Sequence, residues 1–398
     1  MLGNPASRGA LAELLMAERT LGRLAAGLES WPRERHAADL ARREALASVR
    51  LDGQALSWDD LVLGRLDPAF VKPAARAGVL DGLDLADALG AAAGNAWPAR
   101  GAGAGTGGPA LPAAGAKALS AARAAVAELE AWLEAPEGAG GGAEAGDAPA
   151  PAASGRAAPA PLSSAWFAAL WDALAARGAA ARPGAFVPMA ETVEDALREP
   201  GLLGAVEALR RLHDPTLLPA PVLGGVADED SSSLAIRRHI AETGTAALAG
   251  RFARTAAPFL VARACGLPPA PLALSPALDR DARAYRRMVE EEPGPWARWA
   301  VRLVTDAAAA EMERARTLDR LAASWAERLG QRRRGSHLPQ LLDLLALEPA
   351  VTVRHVQRRL SLSFVGADKL VVELVDRRIL REGGRHNGVR VFIAADLA

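Results

Sequence analysis

Thr352-Val-Arg-His-Val-Gln-Arg-Arg-Leu-Ser-Leu-Ser-Phe-Val-Gly-Ala-Asp-Lys-Leu-Val-Val-Glu-Leu-Val-Asp-Arg-Arg-Ile-Leu-Arg381 is the stretch that decides how the tail of this chain folds. Thr352 stands where it caps a helix over 353–360, with Val353, Val356 and Leu360 inward and Arg354, His355, Arg358 and Arg359 outward. After a short turn, Ser363 caps a further helix. Its inner stripe is Ala367, Leu370, Val371, Leu374 and Val375, the i, i+3, i+4, i+7, i+8 spacing of one helical face. Upstream, 338–347 forms another helix, apolar at Leu341, Leu342, Leu344 and Leu345 and ended by Glu348-Pro349. Downstream, Ile379-Leu380-Arg381 starts a strand and residues 383–388, Gly-Gly-Arg-His-Asn-Gly, make a turn. Val389, Val391 and Ile393 then alternate with Arg390 and Phe392, the period of a half-buried returning strand.

Three helices, a short interhelical turn and a β-hairpin are the parts of a winged helix-turn-helix spanning 336–398. Such a unit suits duplex DNA. Residues 332–398 hold 12 Lys and Arg against seven Asp and Glu, a surplus of five that would draw phosphates. The third helix would enter the major groove by its first turns, presenting Phe364, Val365, Gly366, Asp368 and Lys369. Thr352, Arg354, Arg358 and Ser363 flank that turn, and the wing offers Arg385, His386 and Arg390 to the backbone or minor groove. Winged helices also dock proteins, and this tip carries no Asn, Gln or Arg. A protein-interaction module therefore stands as the alternative.

The rest of the chain is read against its composition. Half of the 398 residues are hydrophobic, and the bulk of them are Ala and Leu, which favour helix over strand. The fold class expected is mainly α. Lys and Arg number 47, as do Asp and Glu, so no global field favours nucleic acid or membrane and any DNA affinity must be local. Lys appears only at Lys72, Lys117 and Lys369. One cysteine, Cys265, excludes an intramolecular disulfide and a Cys-based zinc site. Met1 to Ala10 has no charged region followed by an apolar core, and no apolar run approaches the roughly 20 residues that span a bilayer. The expectation is a soluble cytoplasmic protein without membrane contact.

Helical periodicity covers 8–29 and 37–51, broken at Trp31-Pro32, and a short helix follows from Trp58 to Gly64 behind Ser57. These make an N-terminal helical segment, 1–90. Residues 91–160 collapse into Ala, Gly and Pro and read as linker, with one amphipathic helix near 116–135. A helical domain, 161–330, begins behind Ser164 with Trp166, Phe167, Leu170, Trp171 and Leu174. Helices are expected at about 192–213, 231–243, 247–264, 279–292 and 295–329.

Glu44-Ala-Leu-Ala-Ser-Val-Arg-Leu-Asp-Gly-Gln54, followed by Leu56-Ser-Trp-Asp-Asp-Leu61, resembles the N-terminal segment of class II Fic proteins. Ser48 and Asp52-Gly53 stand where that family has its autoinhibitory Ser/Thr-x-x-x-Glu-Gly, with Asp in place of Glu. The Trp296/Trp299 helix, the long helix to Leu329 and the winged unit follow in the family's order. The arrangement also looks like a bacterial family joining a Fic-like helical region to a C-terminal helix-turn-helix. The resemblance covers most of the chain outside the 90–160 insert.

Active Fic proteins carry His-Pro-Phe-x-Asp/Glu-Gly-Asn-Gly-Arg-x-Gly-Arg. There the His takes a proton, the acid holds magnesium and the glycine turn cradles ATP phosphates. The matching segment here is 239–251, in which His239, Glu242, Gly244, Gly250 and Arg251 agree in type. The Asn, the middle Gly and the first Arg are absent, and the segment is one residue longer. The resemblance thus implies a degenerate loop, no cofactor, no metal and no adenylyl transfer. No other catalytic spacing is found. The expectation is a DNA-binding regulator on a silent Fic-like scaffold, acting as a homodimer on double-stranded DNA. A divergent nucleotidyltransferase using His239 is the enzymatic alternative.

Overall fold

The computed structural model describes residues 5–30, 33–96, 171, 201–213, 231–265, 267, 272–291, 293–330, 336–386 and 388–397. The architecture is mainly α, with one small three-stranded antiparallel sheet at the tail. The helix expected near 116–135 lies outside the described residues. So does the one expected behind Ser164, except for Trp171.

The first helices are α1 (Pro5–Ser30), α2 (Arg33–Leu51), α3 (Trp58–Leu66) and α4 (Arg76–Ala96). Ser57 starts α3 with a reciprocal cap: its hydroxyl accepts from Asp60 N at 3.1 Å, and Asp60 accepts from Ser57 N at 3.2 Å. Asp67 ends it and caps the 3-10 turn Pro68–Phe70. α4 continues to Ala96, past residue 90 where linker was expected. Gly64 lets α3 close on α4, since a Cβ there would sit 2.1 Å from Val79 Cγ1. Gly64→Ala is therefore expected to cost about 1–3 kcal/mol. A thermal melt checks this: the variant should unfold several degrees early and regain part of the loss with Val79→Ala. An unchanged melting temperature would refute the close approach.

The body continues with α5 (Leu202–Arg211), α6 (Ser231–Ala264), α7 (Ser275–Arg280), α8 (Ala282–Val289) and α9 (Pro293–Leu329). Three expectations need correction. The helix proposed over 192–213 does not run through 201, because Gly201 has φ +118 and is the N-cap of α5. The two helices proposed at 231–243 and 247–264 are one helix of 34 residues that includes Gly244, Gly250 and Pro258. The helix proposed at 279–292 is two, because Asp281 (φ −133, ψ 60) interrupts it and caps α8 through Ala284 N at 3.0 Å.

Residues 17–89 and 171–308 contribute to one hydrophobic core. Trp171 meets Phe252 edge-on at 5.5 Å, and Trp296 donates its indole N–H to Val206 O at 2.7 Å. Helix α9, about 55 Å long at 1.5 Å per residue, leaves that core at Ala308 and delivers Trp325 and Leu329 to a second one.

That second core belongs to the tail, built from α10 (Leu338–Leu347), β1 (Ala350–Val351), α11 (Val353–Arg359), α12 (Phe364–Asp376), β2 (Leu380–His386) and β3 (Val389–Ala394). The sheet order is β1-β3-β2, with Ala350 opposite Ile393 and Leu380 opposite Ala394. A bulge between Glu382 and Gly384 uses the positive φ of Gly384 (+121), and a Cβ on Gly383 would meet Ile393 Cδ1 at 2.7 Å. Buried Ala367, Val371 and Leu374 line the inner face of α12. The tail is fastened to the body: Arg42 donates to Leu347 O at 2.6 Å, Arg381 pairs with Asp59 at 2.6 Å, and Val62 packs on Ala350 and Ile393.

Candidate nucleic-acid interface

Two capped helix starts organise the outer face of the tail. Thr352 accepts from His355 N at 3.1 Å, and Ser363 accepts from Gly366 N at 3.1 Å. Both hydroxyls are therefore engaged in capping. Between them Ser361 takes φ +53, turning the chain from α11 to α12. Along α12 the exposed positions include Phe364, Val365, Lys369, Val372 and Asp376, with Asp368 and Gly366 half-buried. Phe364 is 50% and Val365 62% exposed.

The cations divide into two groups. Arg381 reaches Asp59, Arg377 donates to Arg328 O at 2.7 Å, and Arg359 pairs with Glu348 at 2.6 Å. In the wing, Arg385 and Arg390 share Glu382 at 3.6 and 3.3 Å, and the Arg390 hydrogen bond, against the cost of desolvation, holds that carboxyl below its ordinary range. Arg390 also lies 5.0 Å over the Phe392 ring. The second group is Arg354, Arg358, Lys369 and Arg378, whose side chains are exposed and make no hydrogen bond or ion pair among the described residues. His386 is in β2, with its side chain outside the described residues. The described tail, 336–386 and 388–397, holds nine cations against seven carboxylates. The larger surplus expected from sequence rests on Arg332, Arg333 and Arg334, outside that set.

In the body, residues quoted for the Fic resemblance meet. Arg251 donates to Asp52 at 2.6 Å and to Asp81 at 3.1 Å. Arg254, 5% exposed, donates to Ser48 Oγ at 3.2 Å, to Ser48 O at 3.4 Å and to Asp52. Gly53 takes φ +85 at the turn that follows α2. Gly250 faces this cluster, since a Cβ on it would lie 3.1 Å from Arg254 Nη1. His239, Glu242 and Gly244 lie in the continuous helix α6, with side chains outside the described residues. The segment 239–251 that matches the degenerate Fic motif thus lies within one helix, and its N–H groups serve the helix ladder.

Sequence reasoning missed the deeper members of this cluster. Beside Arg254 lies Tyr285, whose hydroxyl meets His213 Nε2. His213 Nδ1 lies 2.7 Å from Leu209 O and so carries the proton, which leaves Nε2 to accept from Tyr285. Burial pushes His213 down to about 4. Glu44, fully buried, accepts from Ser275 N at 2.8 Å and meets its hydroxyl at 2.5 Å, and burial pushes it up to about 7 despite those bonds. Burial likewise raises the Cys265 thiol to about 12, so it is no thiolate at neutral pH.

Among the described residues no group of three or more His, Cys, Asp or Glu is placed to hold a metal ion, and no helix is long and apolar enough to cross a membrane. No model of a known protein family matches this chain, and no curated protein matches it either.

Proposed function

We propose that this chain is a cytoplasmic, homodimeric transcriptional regulator that binds double-stranded DNA through residues 336–398, acting as a winged helix-turn-helix. The observation that carries it is the outward placement of Arg354, Arg358 and Lys369 on the two capped helices without protein partners among the described residues, while Arg359, Arg381, Arg385 and Arg390 are paired. Exposed cations without partners are available to phosphate oxygens, and α12 presents its capped N-terminal turn beside them. A single unit of this size reads few base pairs, which is the reason for proposing a dimer.

We further propose that the body is a Fic-like scaffold without adenylyl transfer. The pairing of Asp52 with Arg251, beside Ser48 and Asp52 on Arg254, supports the kinship, and the helical backbone through 239–251 supports the loss of the phosphate cradle. Incorporation of label from ATP and magnesium that disappears in His239→Ala would overturn this.

The test of DNA binding is a titration of the full chain against a duplex at several salt concentrations. Lys369→Ala is expected to weaken binding to all sequences alike and to make the logarithmic salt slope shallower by about 0.9. Absence of any complex at low salt would refute the proposal. It would favour a second reading, a protein-docking surface, which the exposed Phe364, Val365, Val372 and Val389 support.

A further inference from the structure

We infer that the first turns of α12 select thymine by its C5-methyl group, with Phe364 and Val365 as the specificity-determining side chains. The inference rests on the DNA reading above. Large hydrophobic side chains left exposed among the described residues number seven, and four of them, Phe364, Val365, Val372 and Val389, are on this tail. Three of those four lie on α12 at positions i, i+1 and i+8, together with Asp368 and Lys369 at i+4 and i+5. Val365, Lys369 and Val372 fall on the side of the helix turned away from the buried stripe of Ala367, Val371 and Leu374, while Phe364, three residues before Ala367, heads that stripe in the first turn and stands 50% exposed. The face that would meet the groove is therefore mainly apolar, with one amine and one carboxylate between its apolar ends.

The chemistry of base edges then narrows the target. In the major groove, guanine, adenine and cytosine present ring nitrogen, carbonyl and amino groups, and only thymine adds an apolar methyl. A phenyl ring and an isopropyl group return no hydrogen bond. Pressed on a polar edge they strip water from it without compensation, and pressed on the methyl they bury apolar surface. Preference for thymine thus arises from attraction at one base and penalty at the other three. Phe364 to Val372 spans about 12 Å at 1.5 Å per residue, so the apolar contacts fall on separated base steps. The Ser363 cap fixes the first turn at 3.1 Å from Gly366 N, so the ring and the isopropyl group are carried on ordered backbone.

The experiment selects duplexes from a random pool with the full chain, then replaces each thymine in a selected duplex by deoxyuridine. That change removes the methyl and keeps the base pair. Affinity measured at fixed salt is expected to fall about fourfold at each contacted position. Phe364→Ala is expected to bring thymine and uracil duplexes to equal affinity at one such position, and Val365→Ser, which leaves no methyl to reach the base, at a neighbouring one. Both side chains are exposed, and circular dichroism checks that the variants fold. Selected duplexes that bind with no thymine-over-uracil difference would overturn this inference and leave the DNA reading standing. So would a difference that survives both substitutions unchanged. A chain that retains no duplex at low salt would instead overturn the DNA reading itself.

Discussion

Arg254→Met is expected to lower the melting temperature of the chain by about 10 °C. The guanidinium is 5% exposed and donates to the Ser48 hydroxyl, the Ser48 carbonyl and the Asp52 carboxylate, with the Tyr285 hydroxyl beside it. Met fills much of the same volume and returns none of those bonds. The polar groups of α2 would then be buried with acceptors unmet. Breaking one side of a buried ion pair costs about 3–5 kcal/mol, because the remaining charge keeps its desolvation penalty. At roughly 2–4 °C per kcal/mol for a body of this size, that gives the expected shift. Asp52 retains Arg251 at 2.6 Å, which keeps the loss from being larger. A double-mutant cycle with Asp52→Asn sharpens the test: the two losses should sum to more than the loss in the double variant. A melting temperature within a degree of the parent would show that the network contributes nothing.

The second large effect concerns pH. Glu44 has an ordinary value near 4.5, raised to about 7 in the fold by burial. The folded chain therefore holds this proton more tightly than the unfolded chain. Its contribution to stability is full below 4.5 and is lost as pH rises to 7. His213 has an ordinary value near 6.5, lowered to about 4 by burial. Its contribution is full above 6.5 and is lost as pH falls to 4. Between 4.5 and 6.5 the two slopes oppose each other, each up to about 1.4 kcal/mol per pH unit. The parent should vary little with pH there on account of these two groups. In Glu44→Gln the amide oxygen still accepts from Ser275 N–H and the amide nitrogen donates to its hydroxyl, so the packing is kept while the titration is removed. The variant should gain stability steadily from pH 4.5 to 6.5, and by pH 8 should exceed its standing at 4.5, relative to the parent, by about 3 kcal/mol. Denaturant midpoints across that range measure it. A variant whose pH profile runs parallel to the parent's would show that Glu44 ionises as in water.

The outer face of the tail was largely legible, because it is governed by neighbours in sequence. Thr352 and Ser363 each cap the helix that starts at the next residue, and the alternation at Val389–Ile393 reports a strand with two faces. What escaped notice there was β1, two residues long and paired with Ile393 and Phe392, some 40 positions away in the chain. A strand that short has no period to detect. The fate of each cation also escaped, since net charge does not say that Arg381 reaches Asp59 while Lys369 makes no such pairing.

In the body the division runs differently. Amino-acid order alone determined that the chain is rich in helix, where α1, α2 and α3 fall, and that the tail ends in three helices and a hairpin, all consequences of hydrogen bonds and side-chain spacings a few residues long. Only the tertiary structure decided that α6 passes unbroken through Gly244 and Gly250, that Arg254 meets Ser48 across 206 positions, and that the long helix α9 supplies Trp325 and Leu329 to the tail core. Those outcomes depend on which faces find each other when apolar area is buried. That is a sum over distant partners, and no local window of residues contains it.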